Sequence, residues 1–446
     1  MWPFVPGGCP AWPTSHVWDS DGVGEENTWA APTASDEIDA DVRVPGSKSI
    51  TNRAFVLAAL SSGETLVREP LDSRDARLML RALDVLGAAS TETPDGVRVR
   101  PMTVGDGEVR VALGNAGTVA RFTPPLAALG SRTVHFDGDP AIRRRPVAPL
   151  LHALSSLGAD IDDDGRGAVP FTVRGHGGLE GGSVELDSSA SSQFLSALLL
   201  SAPAFERGVT VRLRGRTPSE PHIAMTLDML RRFGAAPERD GSEFHVPPAT
   251  LALDTYTVEP DLSSAAPFVV APLLAGGRVR IAGWPAETTQ PGDWLRSLVR
   301  ELGGEAVLDT DGLTVTGSGT VSGAVLDLHA VGELTPVVAA LLCFADGPSE
   351  IRGVAHLRGH ETDRLAALAT ELSALGGDVT ETDDGLRIRP TPLRGGVFHT
   401  YDDHRLVMAG AVLGLRVPGI VVENPATVGK TYPGFVTDWE RVLHAG

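Results

Sequence analysis

Apolar and polar positions along this chain follow two periods in turn, and the succession repeats. Near-continuous apolar runs, such as residues 194–200 and 336–344, read as buried helices. Each opens behind small polar residues: Ser47-Lys48-Ser49, Asn115-Ala116-Gly117-Thr118, Ser191-Ser192-Gln193, Asp261-Leu262-Ser263-Ser264, Glu333-Leu334-Thr335 and Asp402-Asp403-His404-Arg405. A glycine-containing turn and a short strand follow, as in Thr133-Val134-His135-Phe136. An amphipathic helix then stops at Leu86-Gly87, Leu157-Gly158, Phe233-Gly234, Leu302-Gly303 or Leu375-Gly376, where glycine supplies a left-handed end. Asp-Gly turns such as Asp95-Gly96 and Asp311-Gly312 come next, between short strands, and predict hairpins.

The stop glycines stand 69 to 76 residues apart, and a last helix over 438–444 closes the series. The chain therefore reads as six helix–strand–helix–strand–strand repeats, an α/β (α+β) protein. Because the helix starts are polar and rich in free N–H groups, parallel packing of the buried helices would converge their positive ends on an anion.

The first start carries the richest chemistry. Val44-Pro45-Gly46 breaks a strand-like run, and Lys48, Ser49 and Arg53 then sit at the head of an apolar helix over 54–60. The upstream glycine of a P-loop is missing, since positions 41 and 42 are Asp41 and Val42. Of 38 basic residues only Lys48 and Lys430 are lysine. A chain that otherwise uses arginine has kept two compact ammonium groups, which can donate a proton where a guanidinium cannot.

Composition narrows the function. A formal net charge of −19 argues against a general nucleic-acid or anionic-membrane binder, and any local basic cluster runs against that trend. Cys9 and Cys343 are too few for a disulfide framework or zinc site, which suits a reducing compartment. No apolar run reaches a membrane span. Residues 1–35 hold four of seven tryptophans (Trp2, Trp12, Trp18 and Trp29) and no lysine or arginine, so they read as a disordered or loosely docked extension.

Other clusters have bland alternatives. Arg143-Arg144-Arg145 could be a solvated face, His360-Glu361-Thr362-Asp363-Arg364 a capped helix start, and Ser188-Ser189-Ala190-Ser191-Ser192-Gln193 a simple cap. Neither Gly-x-Ser-x-Gly nor His-Glu-x-x-His occurs.

Taken in order, Pro-Gly-Ser-Lys-Ser-x-x-Asn-Arg (45–53), Leu-Gly-Asn-Ala-Gly-Thr (113–118), Arg145-Pro146, Ser-Ser-Gln-Phe (191–194), Glu-Thr-Asp-Arg (361–364), Asp-His-Arg (403–405) and Lys430-Thr431 resemble the 5-enolpyruvylshikimate-3-phosphate synthase family, from about residue 40 to 443. The resemblance implies a two-domain inside-out α/β barrel with three repeats per domain. One domain would comprise 47–259, and the other 36–46 plus 260–446. It implies transfer of the enolpyruvyl group of phosphoenolpyruvate to the 5-hydroxyl of shikimate 3-phosphate, through a tetrahedral intermediate, with loss of phosphate. No metal or organic cofactor, a cytoplasmic monomer, no nucleic-acid or membrane partner, and inhibition by glyphosate are further implied.

By the same resemblance, Lys48, Glu333, Glu361 and His404 would be catalytic. Lys48, Ser49, Arg53, Ser191, Ser192, Gln193, Ser219, Glu333 and His360 would bind shikimate 3-phosphate. Lys48, Gly117, Arg145, Gln193, Arg364, Arg405 and Lys430 would bind phosphoenolpyruvate. The chain departs from the family pattern at Glu333, usually aspartate, and at His222, His356 and His360, usually tyrosine, asparagine and lysine. The alternatives are the sister UDP-N-acetylglucosamine enolpyruvyl transferase, whose loop cysteine is absent from 137–145, and a non-catalytic binder of phosphorylated ligands.

Overall fold

The computed structural model describes residues 27–215 and 218–444. Six units follow one another, each with two helices: α1 (Lys48–Ala59) and α2 (Arg74–Leu86), α3 (Gly117–Leu129) and α4 (Ala148–Ser156), α5 (Gln193–Ser201) and α6 (Glu220–Arg232), α7 (Ala266–Ala275) and α8 (Leu295–Glu301), α9 (Thr335–Leu342) and α10 (Arg364–Ala374), α11 (His404–Gly414) and α12 (Phe435–Leu443). Five glycines that follow the second helices, Gly87, Gly158, Gly234, Gly303 and Gly376, have φ between 96° and 113°, so the left-handed stops expected from sequence are present.

Each unit holds one strand more than expected, lying ahead of its first helix. In the second unit Glu108–Ala112 runs parallel to Thr133–Asp137, which pairs antiparallel with Phe171–Arg174, and that strand pairs with Asp160–Asp162. The same order recurs in all five four-stranded sheets. Several of the leading strands span three residues, such as Thr255–Thr257 and Val325–Asp327, too short for an alternating pattern to register.

Two leading strands are exchanged. Ile38–Val42 pairs with Gly277–Ala282 of the fourth unit, and Thr255–Thr257 pairs with Thr65–Arg68 of the first. The connections that follow them run side by side: Ser47 N donates to Glu259 O at 2.8 Å, and Asp261 N to Pro45 O at 2.8 Å. Gly46, in the first of these connections, is packed so closely against Glu69 that a Cβ would come within 2.3 Å of Glu69 O, a contact only glycine avoids.

Buried apolar residues fall into two clusters, one from 50–258 and one from 29–44 with 262–442. At the centre of the first, α1, α3 and α5 pack on one another; α7, α9 and α11 do so in the second. Helices lie inside and sheets outside, the inside-out arrangement. Buried on nearly all sides, α5, α7 and α9 have no polar face to supply, which is why their sequences are apolar throughout.

The extension assigned to 1–35 needs correction at its end. Thr28–Ala30 is a strand, antiparallel to Ile420–Glu423, and occupies the place taken in the other units by a hairpin strand. Trp29 is buried there, its ring edge-on to Phe435 and its Nε1 donating to Glu440 Oε1 at 2.9 Å. Burial of an indole against the core of the sixth unit offsets the entropy cost of ordering this segment. Trp2, Trp12, Trp18 and Cys9 lie outside the described residues. Trp29→Ala is expected to cost about 3 kcal/mol, read as a lower urea midpoint; an unchanged midpoint would show that this strand contributes nothing to the sixth unit.

Candidate active site

One cleft between the two cores is lined by Lys48, Ser49, Gly117, Arg145, Ser191, Ser192, Gln193, Ser219, Glu333, His360, Glu361, Arg364, His404, Arg405 and Lys430. These are the residues expected from sequence, with one exception. Arg53 stands behind the wall, its guanidinium spent on Thr226 Oγ1 (2.9 Å), Ser49 O (2.9 Å) and Ser196 Oγ (3.2 Å) and lying over the Phe122 ring. Five residues along a helix from Lys48, it lies about 7.5 Å deeper and on a different side. Its place is a cross-link among α1, α5 and α6, not a cleft contact.

The lining residues come from helix starts. Lys48, Gly117, Gln193, Arg364 and His404 are the first residues of α1, α3, α5, α10 and α11, and Ser219 immediately precedes α6. At α1, α3, α5 and α6 no side chain of the capping residue satisfies the first turn. The positive ends of these helices border the cleft, a setting for anions, although Asp261 Oδ2 already accepts from Lys48 N and Ser191 Oγ from Gln193 N. Gly117 matters sterically: a Cβ there would meet Arg121 Nη1 at 2.6 Å and Arg145 Nη2 at 2.8 Å.

On the second core's side, Glu361 sits between two cations. Its Oε1 accepts from Lys430 Nζ at 2.7 Å and its Oε2 from Arg364 Nη2 at 3.1 Å. Burial pushes the Glu361 carboxyl up, but Lys430, Arg364 and Arg145 outweigh it and hold the group well below the usual carboxylate range. Arg364 also grips Asp403, Nε to Oδ2 at 2.7 Å and Nη2 to Oδ1 at 3.1 Å. Asp403 in turn caps α11 by accepting from Arg405 N at 2.9 Å. Arg405 Nη1 reaches back to Ser263 O at 2.8 Å, and Ser263 Oγ donates to Glu333 Oε1 at 3.2 Å.

The crowd of positive charge tells on its members. Lys48 is pushed down to about 8, first by burial and then by Lys430. Burial, followed by Lys48, drives His404 well below the ordinary imidazole value, so it is neutral at neutral pH. His360 is lowered in the same way by burial and Arg364, and His356 to about 4 by burial and His329. Among the described residues, the buried Nε atoms of Arg121, Arg145 and Arg405 and Nδ1 of His404 find no hydrogen-bond partner.

Sequence reasoning gave no ligand role to Arg121, Asp261 or Asp75, and all three line the cleft. Arg121 is buried and donates to Gln193 Oε1 at 3.0 Å and Pro146 O at 3.2 Å. Asp261 accepts from Lys48 N at 3.2 Å across the paired connections. Asp75, in the first turn of α2, lines the cleft and raises the pull on Lys48's proton. Asp261 belonged to a polar helix start already singled out; Arg121 and Asp75 carried no local signal, since only the fold brings them to the cleft.

Comparison with known proteins follows the same lines. A family model described as EPSP synthase (3-phosphoshikimate 1-carboxyvinyltransferase) matches residues 32–439. A 3-phosphoshikimate 1-carboxyvinyltransferase of Kocuria rhizophila is 50% identical over 432 residues, covering 94% of this chain and 97% of its own. An EPSP synthase structure from Acinetobacter baumannii superposes with a TM-score of 0.77 at 24% identity, over 93% of this chain and 97% of that one. The enolpyruvyl transferase NikO from Streptomyces tendae superposes with a TM-score of 0.74 at 17% identity, over 92% of this chain and 96% of its own. These two share the fold. A family match over nearly the whole length, and a relative sharing half its residues, establish that the chain belongs to the EPSP synthase (3-phosphoshikimate 1-carboxyvinyltransferase) family.

Proposed function

We propose that the cleft transfers the enolpyruvyl group of phosphoenolpyruvate to the 5-hydroxyl of shikimate 3-phosphate, with its two walls dividing the substrates. The observation that carries this is the convergence of uncapped helix starts with Lys48, Arg145, Arg364, Arg405 and Lys430 on one cleft. Two phosphates and two carboxylates need such a set of cations, and planar guanidiniums suit their paired oxygens. Gly117, Arg145, Arg364, Arg405 and Lys430, with Lys48 and Gln193, hold phosphoenolpyruvate. Ser49, Ser191, Ser192, Ser219 and His360 hold shikimate 3-phosphate, with Lys48, Gln193 and Glu333. Arg53 supports this wall from behind.

In the reaction the 5-oxygen adds to C2 of phosphoenolpyruvate, its proton passes to Glu333, and the double-bond electrons take a proton at C3. The tetrahedral adduct then loses a proton from C3 and the phosphate from C2, restoring the double bond. Glu361 is ionised and His404 neutral, so neither carries a proton ready for C3. Lys48, with a value near 8, is a cation whose proton is labile close to neutral pH, and it is assigned the donation at C3. All of these groups come from one chain, which supports a monomer as the working unit. Phosphorylated substrates stay in the compartment that makes them, which supports the cytoplasm, and among the described residues no helix is long and apolar enough to cross a membrane.

Phosphate release with shikimate 3-phosphate and phosphoenolpyruvate together is the direct assay: turnover is expected with both and with neither alone. Silence with shikimate 3-phosphate but turnover with UDP-N-acetylglucosamine would reassign the acceptor. Lys48→Arg keeps the charge but not the labile proton, and kcat is expected to fall by at least about 100-fold; near-normal turnover would remove Lys48 from proton transfer. The pH profile has a defined sign. Rising pH deprotonates Lys48, so kcat/KM for shikimate 3-phosphate falls on a basic limb near pH 8, while bound anions favour the ammonium and move the limb of kcat higher. A kcat/KM that stays flat to about pH 9.5 would contradict this.

A further inference from the structure

Helix α10 grips the chain ahead of α11 at two points. Arg364, its first residue, holds Asp403 as described above. Two turns on, on the same side of the helix, the buried Glu371 holds the preceding residues: its Oε2 accepts from His399 N at 3.0 Å and lies 3.0 Å from His399 Nδ1, and its Oε1 accepts from Tyr401 OH at 2.6 Å. Between the two grips stand Tyr401 and Asp402, with φ of 52° and 56°. Two successive residues with side chains in the left-handed region are strained, and such strain persists only where surrounding contacts over-determine it.

This strained turn aims the start of α11. Directly after it come Asp403, His404 and Arg405, and Asp403 N is tied to Thr400 O at 2.8 Å. It also reaches the Lys430 segment, because Asn424 Nδ2 donates to Asp402 Oδ1 at 2.5 Å and Asn424 immediately precedes the turn Pro425–Lys430. Among the described residues, Ser191, Ser192, Gln193 and Ser219 on the other wall make no hydrogen bond to it.

We infer that Glu371 is a positioning residue for the phosphoenolpyruvate half of the site: it holds Tyr401 and Asp402 in their strained turn and so fixes Arg405, and through Asn424 Lys430, against the donor. The inference rests on assigning Arg405 to phosphoenolpyruvate. Glu371→Gln lacks one of the two acceptor oxygens. It is expected to raise KM for phosphoenolpyruvate roughly tenfold while KM for shikimate 3-phosphate stays within about twofold.

A merely structural role would lower the melting temperature and the active fraction, leaving both KM values alone. Replacing Tyr401 by glycine in the Glu371→Gln background should recover much of the lost affinity, since glycine adopts the turn without a clamp. Tyr401→Phe removes one bond at a half-exposed ring and is expected to raise the same KM about threefold; it decides the matter if Glu371→Gln does not fold. Unchanged KM values, a parallel rise in both, or no recovery in the double variant would overturn the inference. Arg405→Ala, measured alongside, separates the two levels: an unchanged KM for phosphoenolpyruvate there removes the donor assignment itself, whereas a raised one with Glu371→Gln silent removes only the clamp.

Discussion

The structure is organised around positive charge held in a confined space. Six helix starts and the cations Lys48, Arg121, Arg145, Arg364, Arg405 and Lys430 meet at one cleft in a chain whose net charge is −19. Like charges this close repel by several kcal/mol in a partly buried setting. Glu361 and Asp403 offset part of it by pairing with Lys430 and Arg364. Burial first, and the neighbouring cations after it, push the Lys48 ammonium down to about 8 and keep His404 neutral. Two substrates that together bring two phosphates and two carboxylates supply negative charge, so binding relieves the repulsion among these cations.

That arrangement depends on the fold being turned inside out. Central helices that point their N-termini into the cleft bury the rest of their length in the core, which requires a side chain set apolar nearly all round, as in α5. The sheets then take the outside, and their exposed faces carry the many surface ion pairs, such as Arg278 with Asp39 and Arg212 with Glu243. The exchanged strands Ile38–Val42 and Thr255–Thr257 tie the two cores through a pair of connections only one hydrogen-bonded ladder wide. Lys48 and Asp261 sit at the inner end of that ladder, so the link between cores and the floor of the site are one piece of chain.

Local signals were legible in the sequence where the chemistry is local. A left-handed helix stop demands glycine, and all five expected stops are present at Gly87, Gly158, Gly234, Gly303 and Gly376. Polar starts before apolar runs located Lys48, Ser49, Gly117, Ser191, Ser192, Gln193, Glu333, His404 and Arg405, because a helix that buries its whole length can show polarity only at its end; Arg145, Ser219, His360, Glu361, Arg364 and Lys430 came from the family resemblance. Signals that depend on packing were not legible. Three-residue leading strands are too short for a period, Thr28–Ala30 is held by a sheet four hundred residues away in sequence, and Arg121 reaches the cleft only because α3 packs beside α5. Arg53 is the opposite case: its motif position suggests a ligand, whereas its guanidinium lies behind the wall with Thr226, Ser196 and Ser49 taking its donors.

The convergence of opposed helix starts on two anions is tested most directly by a crystal structure with shikimate 3-phosphate and glyphosate bound. The expected map places one ligand's phosphate among Ser191, Ser192 and Ser219 and the other's carboxylate and phosphonate among Arg145, Arg364, Arg405 and Lys430, with Lys48 touching both. Ligand density elsewhere on the molecule, or in the cleft without contact to these groups, would contradict it.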